Sequence, residues 1–195
     1  MSDLFDTPGD ATPLEPEERE GLIPTWIAFR HELNEAEQAN IAAGTAWAHR
    51  QRRPDVLDGR FIKQLHRRMF GDVWSWAGAF RSTERNIGID PLRIPVELRA
   101  VCDDVRYWIG QETYPVDEIA VRYHHRLVAI HPFANGNGRT ARFIADLLVQ
   151  RLGGPVFTWG RVSLTDVGET RRRYIAALRS ADDHDIDPLL SFARS

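Results

Sequence analysis

Apolar positions recur at helical spacing along most of the chain. In "DGRFIKQLHRRMF", Phe61, Leu65 and Met69 repeat every four residues, which predicts an amphipathic helix. "VELRAVCDDVRYWIG" repeats the spacing through Leu98, Val101, Val105 and Trp108. "VDEIAVRYHHRLVAIH" does so through Ile119, Tyr123 and Leu127, with Asp117 placed as a cap. "GRTARFIADLLVQRLGG" carries Phe143, Ile144, Leu147 and Leu148 and stops at Gly153-Gly154. "TDVGETRRRYIAALRSA" and "DPLLSFARS" predict closing helices. Upstream, Ile27, Leu33, Ala36, Ile41 and Trp47 predict one helix or two, with Asn34 a candidate N-cap. The stretch "GDVWSWAGAFRSTERNIGIDPLRIP" breaks helical periodicity with Gly, Pro and Asn, and its "RNIGI" alternates, so a short hairpin is expected there. Residues 1–24 are rich in Pro, Asp and Glu and are expected to be extended. The class that follows is all-α with one small β-hairpin.

Composition narrows the function. The 195 residues are 43% hydrophobic and 27% charged, an ordinary balance for a water-soluble globular domain. A net charge of -3 opposes nucleic-acid binding through an overall field. One cysteine, Cys102, excludes an intramolecular disulfide and a Cys-based zinc site. No apolar run is long enough for a membrane span, and the first residues lack the basic and apolar regions of a signal peptide. A cytoplasmic location is the expectation.

The chemistry concentrates in "IHPFANGNGRTARF", residues 130–143. Pro132 disfavours helical geometry at His131, so the preceding helix should end there. The next helix should start near Asn137, where its first N–H groups lack partners and carry the positive end of the dipole. A bracketed "GNG" at that end is an anion nest, with Gly136 and Gly138 allowing close backbone approach. Arg139 and Arg142 lie three residues apart on one face and suit bidentate phosphate contact. A bare Gly-x-Gly would be an ordinary helix start; the full string is far more specific. It is not a P-loop, because no Lys-Ser/Thr follows.

"HPFANGNGR" closely resembles the signature of Fic-domain proteins, His-x-Phe-x-acid-Gly/Ala-Asn-Gly/Lys-Arg. "FGDVWSWAGAFR" resembles the Trp-Ala-Gly segment ahead of the family's flap, and "RNIGI" sits where the flap hairpin belongs. The resemblance runs from about Arg60 to Gly154. Together with "TPLEPEEREGLIP" and "ELNEAEQANI", the chain is similar to a narrower Fic subgroup, mobile mystery protein B. The resemblance implies a Fic-type helical bundle with a small β-hairpin flap. It divides the chain into an extended segment 1–24, an N-terminal helical region 25–55, and a Fic domain 56–195 that includes the closing helices.

The implied activity is transfer of AMP from ATP to a Ser, Thr or Tyr hydroxyl of a target protein. His131 would be the general base, a role that a neutral imidazole suits. Phe133 would anchor the loop. Asn137 would hold the α-phosphate, with Gly136 and Gly138 as the anion hole. Arg139 and Arg142 would neutralise the outer phosphates. Arg85, Asn86, Ile87, Gly88 and Ile89 would form the flap edge that pairs with the target. Gly138, where some members carry Lys and transfer phosphate, favours AMP transfer. Asn135 departs from the family's metal-binding carboxylate. An amide oxygen brings no charge to Mg²⁺, a hard cation, so a degenerate binder or a weak enzyme is the competing reading. Phosphate or another nucleotide as the transferred group is a third. Many members carry an inhibitory glutamate facing the second signature arginine. Here Glu37 is the first candidate and Glu35 the second, each expected to face Arg142, with a solvated acidic helix face as the alternative. Self-modification, a helix-turn-helix partner protein and a homodimer complete the implied partners.

Overall fold

The computed structural model describes residues 16–52, 54–161 and 167–195. The expectation of an extended segment over 1–15 lies outside the described residues. Over 16–24, where the same extended structure was expected, the chain instead opens with a single helical turn, α1 (Pro16–Arg19), which closes through a hydrogen-bonded turn into the bridge residue Leu22. Helix α2 (Arg30–His49) is one continuous element. It starts before the expected cap Asn34, because Glu32 folds back and accepts from the backbone N–H groups of Ala28 (2.8 Å) and Phe29 (3.0 Å). Helix α3 (Gly59–Phe70) is capped by the Asp58 carboxylate, which accepts from the Arg60 N–H at 2.9 Å.

Helix α2 crosses α3 at very short range. A Cβ on Gly44 would lie 2.7 Å from backbone atoms of Arg68 and Met69. Beside the crossing, the buried Asn40 amide donates to the Arg68 carbonyl (3.1 Å) and the Asp72 carboxylate (3.0 Å). These bonds fix the height of α2 on α3, which later decides where Glu37 points.

The central packing unit is α5 (Val116–Ile130) with α6 (Asn137–Arg151), flanked by α4 (Ile94–Gly110), α3 and α8 (Asp187–Arg194). Val101, Val105, Ile119, Tyr123, Ile144, Leu148 and Leu189 fill the space between them. Helix α5 begins at Val116, so Asp117 is inside the first turn rather than at the cap. Its carboxylate is drawn instead to Arg194 of α8 (2.7 Å from Nε). Helix α6 ends at Arg151, ahead of left-handed Gly153, as the Gly-Gly pair predicts. Helix α7 (Val167–Asp182) packs on α8 and brings Tyr174 toward α6.

The expected hairpin flap is not seen; no strand occurs among the described residues. Between Arg81 and Ile89, backbone carbonyls are taken by a side chain, the Arg81 guanidinium, rather than by a facing strand. The one isolated bridge among the described residues is antiparallel, Leu22 with Trp74, flanked by Ile23 N–H to Val73 O (2.9 Å) and Ser75 N–H to Gly21 O (2.8 Å). No helix of the described residues is long and apolar enough to cross a membrane.

Gly44→Ala forces a methyl group into backbone and is expected to destabilise the fold by about 1–3 kcal/mol. Urea denaturation followed by circular dichroism checks this; an unchanged midpoint would contradict the crossing described.

Candidate active site

The loop between α5 and α6 is bent at both ends. His131 is left-handed (φ 51°, ψ 61°), an uncommon conformation for a side-chain-bearing residue. Gly136 is left-handed as well (φ 78°), and a Cβ there would stand 2.7 Å from the Phe70 ring. Between them the loop is clasped by Asn137. Its Oδ1 accepts from the Phe133 N–H at 2.9 Å, and its Nδ2 donates to the Phe133 carbonyl at 2.8 Å. Asn137 is therefore buried and engaged with the loop, not turned out toward a ligand. The Phe133 ring is buried against His66, with ring centroids 3.8 Å apart.

His66 is the loop's hidden support. It is fully buried on α3. Its Nδ1 accepts from the Gly78 N–H at 2.9 Å, so the proton sits on Nε2 and is donated to the Asn135 carbonyl at 2.9 Å. Burial pushes this imidazole down to about 3, so it stays neutral. A polar residue on the inward Ile62–His66–Phe70 row was the available sequence signal.

Arg81 is the second support, and no sequence signal marked it. It is buried, and its Nε donates to the His131 carbonyl at 2.7 Å. Its Nη1 donates to Thr83 O (2.8 Å), and its Nη2 reaches Ile89 O and Ile130 O. The Arg81 N–H donates to Pro132 O at 3.0 Å. One guanidinium thus holds the flap segment onto His131. Gly88 lies directly over His131, so close that a Cβ would come 2.7 Å from the histidine's own Cβ. Asn86, Ile87 and Gly88 are exposed, while Arg85 is drawn inward to pair with Glu18 of α1.

The His131 ring is buried and held down to about 4, first by burial, then by the Arg81 charge, with the Val128 carbonyl pulling the other way. It is the neutral, proton-accepting form at neutral pH.

The two arginines are treated differently. Arg139 Nη1 pairs with Glu37 Oε2 at 2.6 Å, its Nη2 reaches Asn135 Oδ1 at 3.3 Å, and its guanidinium lies over the Phe70 ring. Trp74 Nε1 donates to the other Glu37 oxygen at 2.8 Å. Glu37 therefore reaches the site, but against Arg139 rather than Arg142 as expected. The Asn40 clamp sets this height on α2. Glu35 is exposed and takes no ion pair among the described residues. Arg142 lies over the Tyr174 ring, 5.2 Å from its centroid, with no carboxylate at ion-pair distance among the described residues. Burial lowers its proton affinity, followed in the same direction by Arg139 and opposed by Tyr174. Tyr174 in turn bonds His124 (3.0 Å). Position 138 is open: a Cβ on Gly138 would make only an ordinary 3.6 Å contact with the Tyr174 hydroxyl.

The donor set does not make a direct divalent-cation site. Asn135 Oδ1 already accepts from the Gly136 N–H at 2.6 Å and from Arg139. No group of three His, Cys, Asp or Glu residues is placed to hold a metal among the described residues. The site offers instead the first N–H groups of α6, a neutral imidazole, one arginine held by a carboxylate and one without. These groups set hydrogen-bond donors and positive charge beside a proton acceptor, the chemistry that suits an anionic ligand.

Comparison with known proteins agrees with this class. Residues 56–149 match the Fic/DOC family, and the chain carries a Fic domain. It is 31% identical over 140 residues to the Caenorhabditis elegans protein adenylyltransferase fic-1 and 32% identical over 136 residues to the Drosophila grimshawi protein adenylyltransferase Fic. Each alignment takes in 67% of this chain. The chain spans about a quarter of the length of these curated relatives (25% and 26%). A C. elegans Fic-1 structure (residues 134–508) superposes with TM-score 0.64 at 27% identity, over 90% of this chain and 51% of that one. BepC of Bartonella tribocorum, with bound AMPPNP, superposes with TM-score 0.68 at 18% identity, over 92% and 97%.

His66, His124 and His131 are all held neutral by burial and gain their protons only on unfolding, where a histidine titrates near 6.5. Below about pH 6.5 the unfolded chain binds more protons than the folded one, so stability falls with pH. The loss runs from about 6.5 down to about 4 for His131 and about 3 for His66. A urea midpoint that is level above neutrality and drops steadily through this window is expected; a midpoint independent of pH would contradict the burial of these rings.

Proposed function

We propose that this chain is a protein adenylyltransferase, moving AMP from ATP onto a hydroxyl side chain of a target protein. The observation that carries the reading is Arg142: a partly buried guanidinium with no carboxylate at ion-pair distance among the described residues, beside the N-terminus of α6 and the His131 loop. It is an anion receptor waiting for charge, as an outer phosphate would supply. The names of the relatives support the reaction, and the nucleotides bound by BepC and by a Bartonella quintana Fic domain, which carries ADP, support the donor class.

In this reading His131 takes the proton from the target hydroxyl, whose oxygen attacks the α-phosphorus. The bond to the β-phosphate oxygen breaks and pyrophosphate leaves with the charge that Arg142 and the helix N-terminus stabilise. The backbone around Gly136 and Gly138 holds the α-phosphate, while Asn137 keeps the loop in shape. Entry of the anionic nucleotide opposes the Arg81 field on His131 and makes the ring a stronger base. The exposed Asn86–Gly88 edge receives the target backbone. Mg²⁺ would be held by the nucleotide's own phosphates and water rather than by Asn135, whose amide oxygen is already engaged by the Gly136 N–H and Arg139. Glu37 acts as a latch, occupying Arg139 until ATP displaces it. The division at residues 24 and 55, the mobile mystery protein B subgroup, a helix-turn-helix partner, self-modification, a homodimer and a cytoplasmic site of action belong to the same proposal.

Incubation with ATP labelled at the α-phosphate tests it, alone and in cell lysate. His131→Ala is expected to lower protein labelling by about 10²–10⁴-fold. Glu37→Gly is expected to raise it, and label at the γ-phosphate should not transfer. Intact nucleotide binding with no transfer by any variant would replace this reading with a non-catalytic nucleotide-binding module. Asn135 and the Glu37–Arg139 pair are the features that would explain such an outcome.

A further inference from the structure

A groove of 1030 Å³ lies between α2, α3 and the Trp-Ala-Gly segment. Its walls carry Arg50, Lys63, Arg67 and Arg68 against a single carboxylate, Asp72. All four cations are exposed, and none is within ion-pair distance of an acid among the described residues. Outside the groove the arginines at 60, 85, 93, 106, 122, 126, 139 and 194 each have an acidic partner, and others such as Arg99 and Arg142 have none among the described residues; what distinguishes the groove is that four such cations share one concavity. Four unneutralised like charges in one concavity repel one another in a chain whose net charge is -3. Such an arrangement fits an acidic occupant.

We propose that this groove is a docking site for an acidic segment of the target protein. The proposal rests on the chain acting on proteins, as argued above. Two observations favour a peptide over a nucleic acid. Trp47 is the aromatic residue lining the groove, and its ring is already engaged by Arg68 above it and by Phe61 stacked at 6.0 Å, so the groove offers no row of open rings for bases. Beyond the groove the chain, with its net charge of -3, offers a long polyanion no further attraction, whereas a short acidic segment needs only the groove. Continuity gives the groove its purpose. Ala77, Gly78 and Ala79 line it, and two residues further on Arg81 bonds the His131 carbonyl. The same backbone borders the groove at one end and forms the exposed flap edge at the other. A target lying along that edge has its flanking residues directed toward the cations, which makes acidic residues beside the modified hydroxyl the preferred sequence context.

The test is anisotropy of a fluorescein-labelled oligoglutamate peptide titrated with the full chain at low salt, without nucleotide. Binding that weakens with added salt is expected. Arg50→Glu/Arg67→Glu should lose roughly tenfold or more in affinity, with Arg50→Gln/Arg67→Gln in between. ATP affinity should be unchanged in both variants, since neither arginine touches the phosphate site, and this also confirms that they fold. Wild-type protein that does not bind the peptide, or variants that bind it equally well, would overturn the proposal. So would displacement of the peptide by a single-stranded oligonucleotide at lower concentration than by unlabelled peptide, which would assign the groove to nucleic acid. Peptide binding is read without ATP, so a chain that docks the peptide but transfers nothing removes the catalytic reading alone. A chain that transfers AMP but ignores the peptide removes the groove alone.

Discussion

The buried guanidinium of Arg81 holds the site together. Burying that charge is costly unless its N–H groups find partners. Among the described residues no carboxylate pairs with it; the carbonyls of His131, Ile130, Thr83 and Ile89 take its N–H groups. Those four oxygens belong to two separate stretches, the flap and the end of α5. The flap therefore needs no strand pairing to stay in place, and His131 is kept in a left-handed conformation it would not choose alone. The same positive charge helps keep the imidazole neutral, so a structural bond also sets the chemical state of the base.

The loop that opens α6 follows a similar economy. Asn137 spends both of its side-chain groups on Phe133, and His66 spends both ring nitrogens on Gly78 and Asn135. With these polar groups satisfied internally, the loop is preformed and its outward groups are backbone N–H donors and two guanidiniums. Replacing the family's acid with Asn135 changes the balance between those cations. A neutral amide gives Arg139 only a 3.3 Å contact, and the charge is matched instead by Glu37, brought in by α2 and held by Trp74. Arg142, with no such partner among the described residues, rests on the Tyr174 ring. The missing charge at 135 and the pairing of Glu37 with Arg139 are two sides of one electrostatic adjustment.

Much of this was legible in advance. The spacing of Phe61, Leu65 and Met69, of Leu98, Val101 and Val105, and of Ile144 and Leu148 placed α3, α4 and α6 within a few residues, because burial of one helix face writes a 3.6-residue period into any sequence. "HPFANGNGR" located the bent loop between α5 and α6, since the left-handed turn at Gly136 demands glycine at a fixed offset. Errors came where a long side chain competed with a local rule. Glu32 displaced Asn34 as the cap, Arg194 drew Asp117 away from its capping role, and Arg81 replaced the ladder of the expected hairpin.

By itself, then, the sequence determined the helical class, the main helix limits and the placing of His131 just ahead of a glycine-bracketed helix start. Periodicity and turn chemistry are local, and each is readable within a window of a few residues. The tertiary structure alone decided that Glu37 meets Arg139 and not Arg142, that His66 and Arg81 support the loop, and that Tyr174 lies under Arg142. These contacts join residues as many as 102 positions apart, and they depend on the height at which one helix crosses another. A close crossing at Gly44 and an amide at Asn40 set that height, and no local pattern encodes it.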